Sequence, residues 1–208
     1  MSVLDKLATS LNRRDEVPNQ ELAREIVNKR DKAAVRELIE NLTNKNKGIQ
    51  SDCIKVLYEI GESDPKLIAK YHQEFGKLLE SKHNRLVWGA MMALDAIAAQ
   101  EPKRVYGMLA KILRVADSSG SVIARDHAVG ILVKLGTLTP YKRDCVPLLL
   151  EQLMSCPNNQ FAMYVEMSGP VIDAESKKRF QQVIEKRIPM LERESQKRRV
   201  EKVLKRLK

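Results

Sequence analysis

LVWGAMMALDAIA, residues 86–98, holds the chain's only tryptophan, two adjacent methionines and one aspartate. It is either the lining of a pocket or one copy of something repeated, and the spacing of its apolar residues decides. Leu86, Ala90, Ala93, Leu94 and Ile97 follow one another at intervals of 4, 3, 1 and 3, which places all five on one helical face. The same intervals recur upstream in Ile49, Cys53, Val56, Leu57 and Ile60, and downstream in Ala124, Ala128, Ile131, Leu132 and Leu135. A fourth copy, Phe161, Val165, Ser168, Gly169 and Ile172, keeps the register, but Pro170 is expected to bend or end its helix.

A second ladder runs between the first. DPKLIAKYHQEFGKLL from Asp64, EPKRVYGMLAKIL from Glu101 and TPYKRDCVPLLLEQL from Thr139 begin alike, with Pro65, Pro102 and Pro140 spaced 37 and 38 residues apart. A side-chain acceptor followed by proline is the arrangement of a capped helix start, where the missing N–H costs nothing. Asp64 and Thr139 are therefore read as caps and Glu101 as a poorer one. Each period becomes two helices. TNKNKG, ESKHN and ADSSGS turn inside pairs, and GESDP, AQEP and GTLTP turn between them.

Upstream, LDKLATSL and ELAREIVNKR read as an extra pair. Downstream, ESKKRFQQVIEKRI and LERESQKRRVEKVLKRLK read as a final pair broken at Pro189. No stretch alternates with period two for long enough to propose a strand. The expected fold is all-α, a right-handed α-α superhelix of about five to six antiparallel helix pairs in which stacked neighbours bury a continuous core. The expected organisation is a repeat array with an N-terminal capping pair over residues 1–174. A basic C-terminal helical cap over 175–208 would pack on the same domain.

A repeat of about 37 residues exceeds the tetratricopeptide period and lacks its Trp-Leu-Gly-Tyr signature. From about Asp31 to Ile172 the chain instead resembles the HEAT/armadillo-like α-solenoids, with a Pro-led first helix, a turn, and a second helix with small and aliphatic residues in register. The turn Asp and second-helix Arg common in that family have counterparts only in Asp117 and Arg125; Gln50, Val87 and Ala162 stand at corresponding positions elsewhere. The resemblance therefore implies a fold and no activity.

Composition narrows the setting. The 208 residues are 43% hydrophobic and 31% charged, and no apolar run is long enough to cross a bilayer. The opening MSVLDKLATSLNRRDE lacks the layout of a secretory signal, so a soluble, cytoplasmic chain is expected. Cys53, Cys145 and Cys156 form no CxxC pair, and His72, His83 and His127 lie in separate segments, so buried thiols are expected and no metal or cofactor. No phosphate-cradling Gly loop or nucleophile motif gives an enzymatic activity any support.

The net charge of +10 is uneven. Residues 176–208 hold 13 Lys and Arg against 4 Glu, which leaves the rest of the chain near neutral. In the tail, Val200, Val203, Leu204 and Leu207 make an apolar side, and Lys197, Arg198, Arg199, Lys202, Lys205 and Arg206 are candidates for contacts with nucleic-acid phosphates. A polar end cap of the array explains the same residues. Lys45 and Lys47 in one turn and Lys82 and Arg85 in another could extend a basic edge.

On the second helices, the side away from the ladder carries Ile54, Tyr58, Trp88, Met91, Met92, Asp95, Val129, Val133, Met163 and Met167. A merely solvated face would be richer in Lys and Glu. Either these helices are buried on both sides, or the face receives a protein or peptide partner, for which Met and aromatic side chains suit adaptable recognition. Tyr58, Trp88, Met91, Met92, Asp95, Val129, Val133 and Met163 are the candidate contacts. Trp88 and Asp95, seven residues apart, also loosely resemble the pair serving the base cleft of helical-repeat DNA glycosylases, but one Trp, three Phe and five Tyr are few for stacking platforms. The main expectation is a non-enzymatic repeat scaffold for a protein or peptide. The alternative is a nucleic-acid-binding helical-repeat protein using the basic tail. No membrane partner is expected, because the tail lacks aromatic anchors.

Overall fold

A computed structural model describes residues 2–118 and 120–206, and among these there are twelve α-helices and no strand. Contacts divide the chain into two compact units, Met1–Ala128 and Val129–Lys208. The division falls inside a helix. Leu207 lies outside the described residues.

In the first unit, α1 (Val17–Lys29), α2 (Lys32–Glu40) and α3 (Lys47–Ser63) are followed by α4 (His72–Leu78), α5 (Asn84–Ile97), α6 (Pro102–Tyr106), α7 (Leu109–Ser118) and the start of α8 (Val122–Gly136). Short polar side chains set the starts. Asp31 accepts from the backbone N–H groups of Ala33 and Ala34 at 3.0 and 2.9 Å, and Asn46 accepts from that of Gly48 at 2.8 Å. Asp64 accepts from the N–H of Lys66, as expected, whereas Glu101 makes no side-chain cap.

Three expectations need correction here. LDKLATSL forms no helix: the chain makes a 3-10 turn at Val3–Lys6 and turns on through Asn12, whose φ of 54° is left-handed. Side chains take N–H groups that a helix would use, Asn19 Oδ1 accepting from Ala8 and Asp52 from Thr9, although Leu7 and Ala8 are still buried. The first helix of each middle repeat is also not continuous. After Asp64 come 3-10 turns at Pro65–Leu67 and Ala69–Tyr71 before α4. After Glu101, α6 stops at Gly107, a poor helix former, and α7 resumes at Leu109.

The ladder forms the core. All fifteen residues of its first three copies are buried, and the most exposed, Ile49, reaches only 9%. α3 packs between α1 and α5. A Cβ on Gly89 would lie 2.4 Å from Ile54 Cγ1, and one on Gly61 would lie 3.1 Å from the Ala96 Cβ. Seven residues on one helix thus match seven on the other, so α3 and α5 run parallel, as successive second helices of a repeat array must.

The second unit contains the end of α8, then α9 (Thr139–Ser155), α10 (Asn158–Ser168), α11 (Ala174–Arg187) and α12 (Glu194–Arg206). Thr139 is the first helical residue of α9 rather than its cap; Leu138 precedes it and supplies no side-chain bond. The helix also runs on past Pro147. α10 ends before a 3-10 turn holding Pro170, and α11 ends before one holding Pro189, both as expected. A reciprocal capping box opens α11: Asp173 Oδ1 accepts from the Ser176 N–H at 2.9 Å, and Ser176 Oγ accepts from the Asp173 N–H at 3.0 Å. Lys142 pairs with Asp173 at 2.7 Å and ties α9 to this start.

Candidate partner-binding face

The candidate residues sit on the second helices α3, α5, α8 and α10, and the ladder register sorts them into columns. Ile54, Met91 and Val129 occupy one position in successive copies and are 1%, 0% and 0% exposed. Met91 and Val129 are therefore core residues that leave no surface for a partner. Four residues further along, Tyr58, Asp95 and Val133 again share a position, and all three are half-buried. Trp88, Met92 and Met163 are half-buried as well. The apolar side is thus a buried column flanked by partly open ones.

In the first unit the open positions are polar at their edges. The Lys55 ammonium lies 4.9 Å from the centre of the Tyr58 ring and pairs with Glu59 at 2.6 Å and Glu16 at 2.9 Å. Burial works against that charge, but Glu59, Tyr58 and Glu16 outweigh it and hold the ammonium above its ordinary value. Burial in turn raises the Tyr58 hydroxyl, with Lys55 opposing. The aromatic position is thereby fixed by its own helix.

Asp95 accepts from His127 Nδ1 at 2.9 Å, the ring nitrogen being the donor that a carboxylate requires. Sequence reasoning placed Asp95 beside Trp88 and missed this partner on α8. The carboxylate thus joins two helices, which gives the glycosylase comparison no geometric support. Among the described residues no group of three or more His, Cys, Asp or Glu could hold a metal ion. All three cysteines are buried, and burial pushes the Cys53 thiol up to about 12 and that of Cys145 up to about 11.

In the second unit, α12 lies on α10 through Val200 and Val203. Of its candidate cations, Lys197 pairs with Glu194 at 2.8 Å and Arg199 grips Glu166 through two contacts, at 2.9 and 2.5 Å. Arg198, Lys202, Lys205 and Arg206 are exposed. Glu166 stands where Met91 and Val129 stand in earlier copies. At that position the fourth copy carries an exposed carboxylate and α12 supplies the basic partner.

The buried Arg187 was missed as well. It is 5% exposed and donates to the carbonyls of Leu153, Met154 and Cys156 at 3.1, 2.5 and 2.7 Å and to Asn158 Oδ1 at 2.9 Å, with its guanidinium 4.9 Å from the Phe161 ring centre. It satisfies the otherwise orphaned carbonyls at the end of α9, so one of the 13 tail cations is a core staple.

No family model and no curated protein matches the chain. Solved structures do. An engineered protein is 18% identical, with 100% of this chain and 99% of that one covered and a TM-score of 0.66. A designed armadillo repeat protein in complex with the peptide (KR)4 is 15% identical over 99% of each chain, with a TM-score of 0.67. A computationally designed armadillo repeat protein for modular peptide recognition is 13% identical over 98% of this chain and 97% of that one, with a TM-score of 0.66. At such identities the likeness concerns fold alone. No helix among the described residues is long and apolar enough to cross a membrane. Twelve helices among the described residues, three ladder copies buried in register and full-length superposition on designed repeats make the chain, by fold, an armadillo/HEAT-like helical repeat.

Proposed function

We propose that the chain is a non-enzymatic repeat scaffold that receives a peptide or an extended segment of a partner protein along its second helices. Tyr58, Trp88, Met92 and Asp95 serve in the first unit, and Val133 and Met163 in the second. The observation that carries this reading is the column pattern. Equivalent positions in successive copies stay half-buried while the adjacent column is sealed, so each copy offers a partly open position at the same place on its second helix. Two of the solved structures similar in fold are described as peptide-bound or built for peptide recognition.

The test is a titration of Trp88 emission, the chain having no other tryptophan, with a displayed peptide library and with (KR)4 as the first defined probe. Saturable peptides should weaken by about tenfold or more on Tyr58→Ala or Met92→Asp, since truncating an anchor costs more than about 1.4 kcal/mol. Circular dichroism should be unchanged. Selected peptides that bind both variants as tightly as the parent would place the contact elsewhere and refute the reading.

A further inference from the structure

At the edge of the first unit is a cavity of about 340 Å³ between the turn after Ala8, the first turns of α3 and the start of α5. It goes beyond the proposed peptide face, which meets it only at Lys55. Its lining holds five Lys and Arg against three Asp and Glu, an excess of two positive charges. The acids are engaged internally. Asp15 is gripped by Arg13 at 2.9 and 2.8 Å, and Glu16 pairs with Lys55 at 2.9 Å. Asp52 accepts from the Thr9 N–H at 2.7 Å and from Asn19 Nδ2 at 2.8 Å.

That leaves Arg14, Lys47 and Arg85. All three are exposed, and among the described residues none has an ion-pair partner. They come from three different segments, so their convergence is a product of the fold and not of a run in the sequence. His83 sits among them. Its Nδ1 donates to Gln50 Oε1 at 3.1 Å, and its Nε2 lies 3.4 Å from Ser51 Oγ. Burial, then Lys47 and Arg85, pull its pKa below the ordinary histidine value, so the field of both cations reaches inside the cavity. The positive end of the α3 dipole adds to it.

We infer that this cavity binds a phosphate monoester dianion held by Arg14, Lys47 and Arg85. The excess of two charges balances a dianion, and the volume exceeds that of a bare carboxylate while falling in the range of small-ligand sites. Free ester and phosphorylated side chain present the same chemistry to these cations.

The experiment follows the His83 ring resonances of the full chain during titration with phenyl phosphate, with a phosphoserine peptide and with its unphosphorylated form, at fixed chloride. Both phosphate probes should shift the His83 signals saturably and raise its pKa, because the bound dianion offsets Lys47 and Arg85. Lys47→Glu and Arg85→Glu should each weaken binding at least tenfold, and Arg198→Glu with Lys202→Glu on α12 should not change it. Tighter binding of phenyl phosphate than of the phosphopeptide assigns the site to free esters, and the reverse order assigns it to a phosphorylated partner. Equal response to the unphosphorylated peptide, or binding unchanged in both charge reversals, overturns the inference.

Discussion

Gly89→Ala should destabilise the chain although it replaces a helical glycine with the best helix former. A Cβ at this position would stand 2.4 Å from Ile54 Cγ1, 3.1 Å from its Cγ2 and 3.3 Å from its Cβ. Because a β-branched residue in a helix holds one strongly preferred χ1 rotamer, Ile54 cannot cheaply turn both γ carbons away, and α3 and α5 must separate. Overpacking of this kind costs about 1–3 kcal/mol. The upper half of that range applies because backbone has to move, and the propensity gain returns about 1 kcal/mol. The net expectation is a loss of about 1–2 kcal/mol. The decisive comparison is the same change made in an Ile54→Ala background, where both γ carbons are gone. There Gly89→Ala should stabilise by about 0.5–1 kcal/mol, so the sign reverses, while Ile54→Ala alone costs about 2–5 kcal/mol. Urea unfolding followed by far-ultraviolet circular dichroism reads all four corners of the cycle. An effect of the same sign and size in both backgrounds would mean that the two helices do not meet at Gly89, and the parallel register deduced from it would fall.

Arg187→Ala should cost about 3 kcal/mol or more, because several α9 carbonyls lose their donor inside the core, and Arg187→Lys should recover only part of it, since one ammonium cannot reproduce a fork; urea midpoints of the two variants check this. All three thiols should be inert to Ellman's reagent in the folded protein near neutral pH and react after unfolding, and rapid native labelling of Cys53 or Cys145 would contradict their burial. Lys29, then Lys6, holds the Glu25 carboxyl down to about 2. Its folded pKa lies below its unfolded one, so its stabilising contribution is present above the ordinary carboxyl value and is lost as pH falls toward 2. Carboxyl-resonance titration should return Glu25 toward 4.5 in Lys29→Met.

The fold was legible because it rests on intervals. An interval of 4, 3, 1 and 3 repeated three times describes a buried helical face whatever the residues are, and every position it selected in those copies is in the core. Prolines marked where the first segment of each repeat begins for a similarly local reason. Helix continuity was less legible. Nothing in the apolar pattern of residues 64–79 distinguishes two 3-10 turns and a short helix from one long helix, because the same side chains are buried either way, and only backbone hydrogen bonding separates them. The partners of individual residues were less legible again. Repeat equivalence runs at 37 or 38 residues, but close approaches between successive second helices fall at 35 for Ile54 with Gly89 and 32 for Asp95 with His127. That offset depends on how each helix is shifted along its neighbour, which the period does not contain. Arg187 was invisible for a related reason, since three of its acceptors are backbone carbonyls and carry no side-chain signature.

The candidate face shows where pattern reading loses resolution. Tyr58 and Asp95 lie four residues beyond Ile54 and Met91, which is a rotation of about 40° around a helix of 3.6 residues per turn. Across that small angle burial passes from complete to partial in each of the first three copies, yet Ile, Tyr, Met and Val are compatible with both sides of the line. Polar residues mark such a line only where they occur, as Asp95 does. Its neighbours Met91 and Met92 differ by 100° and not by chemistry, so one is core and the other open with no compositional trace. The boundary is set by the approach of the next helix, and Gly89 is the residue that permits that approach. The same glycine that lets Ile54 be sealed therefore fixes how closely α5 lies on α3. Widening the contact there should loosen the core and move Trp88 together.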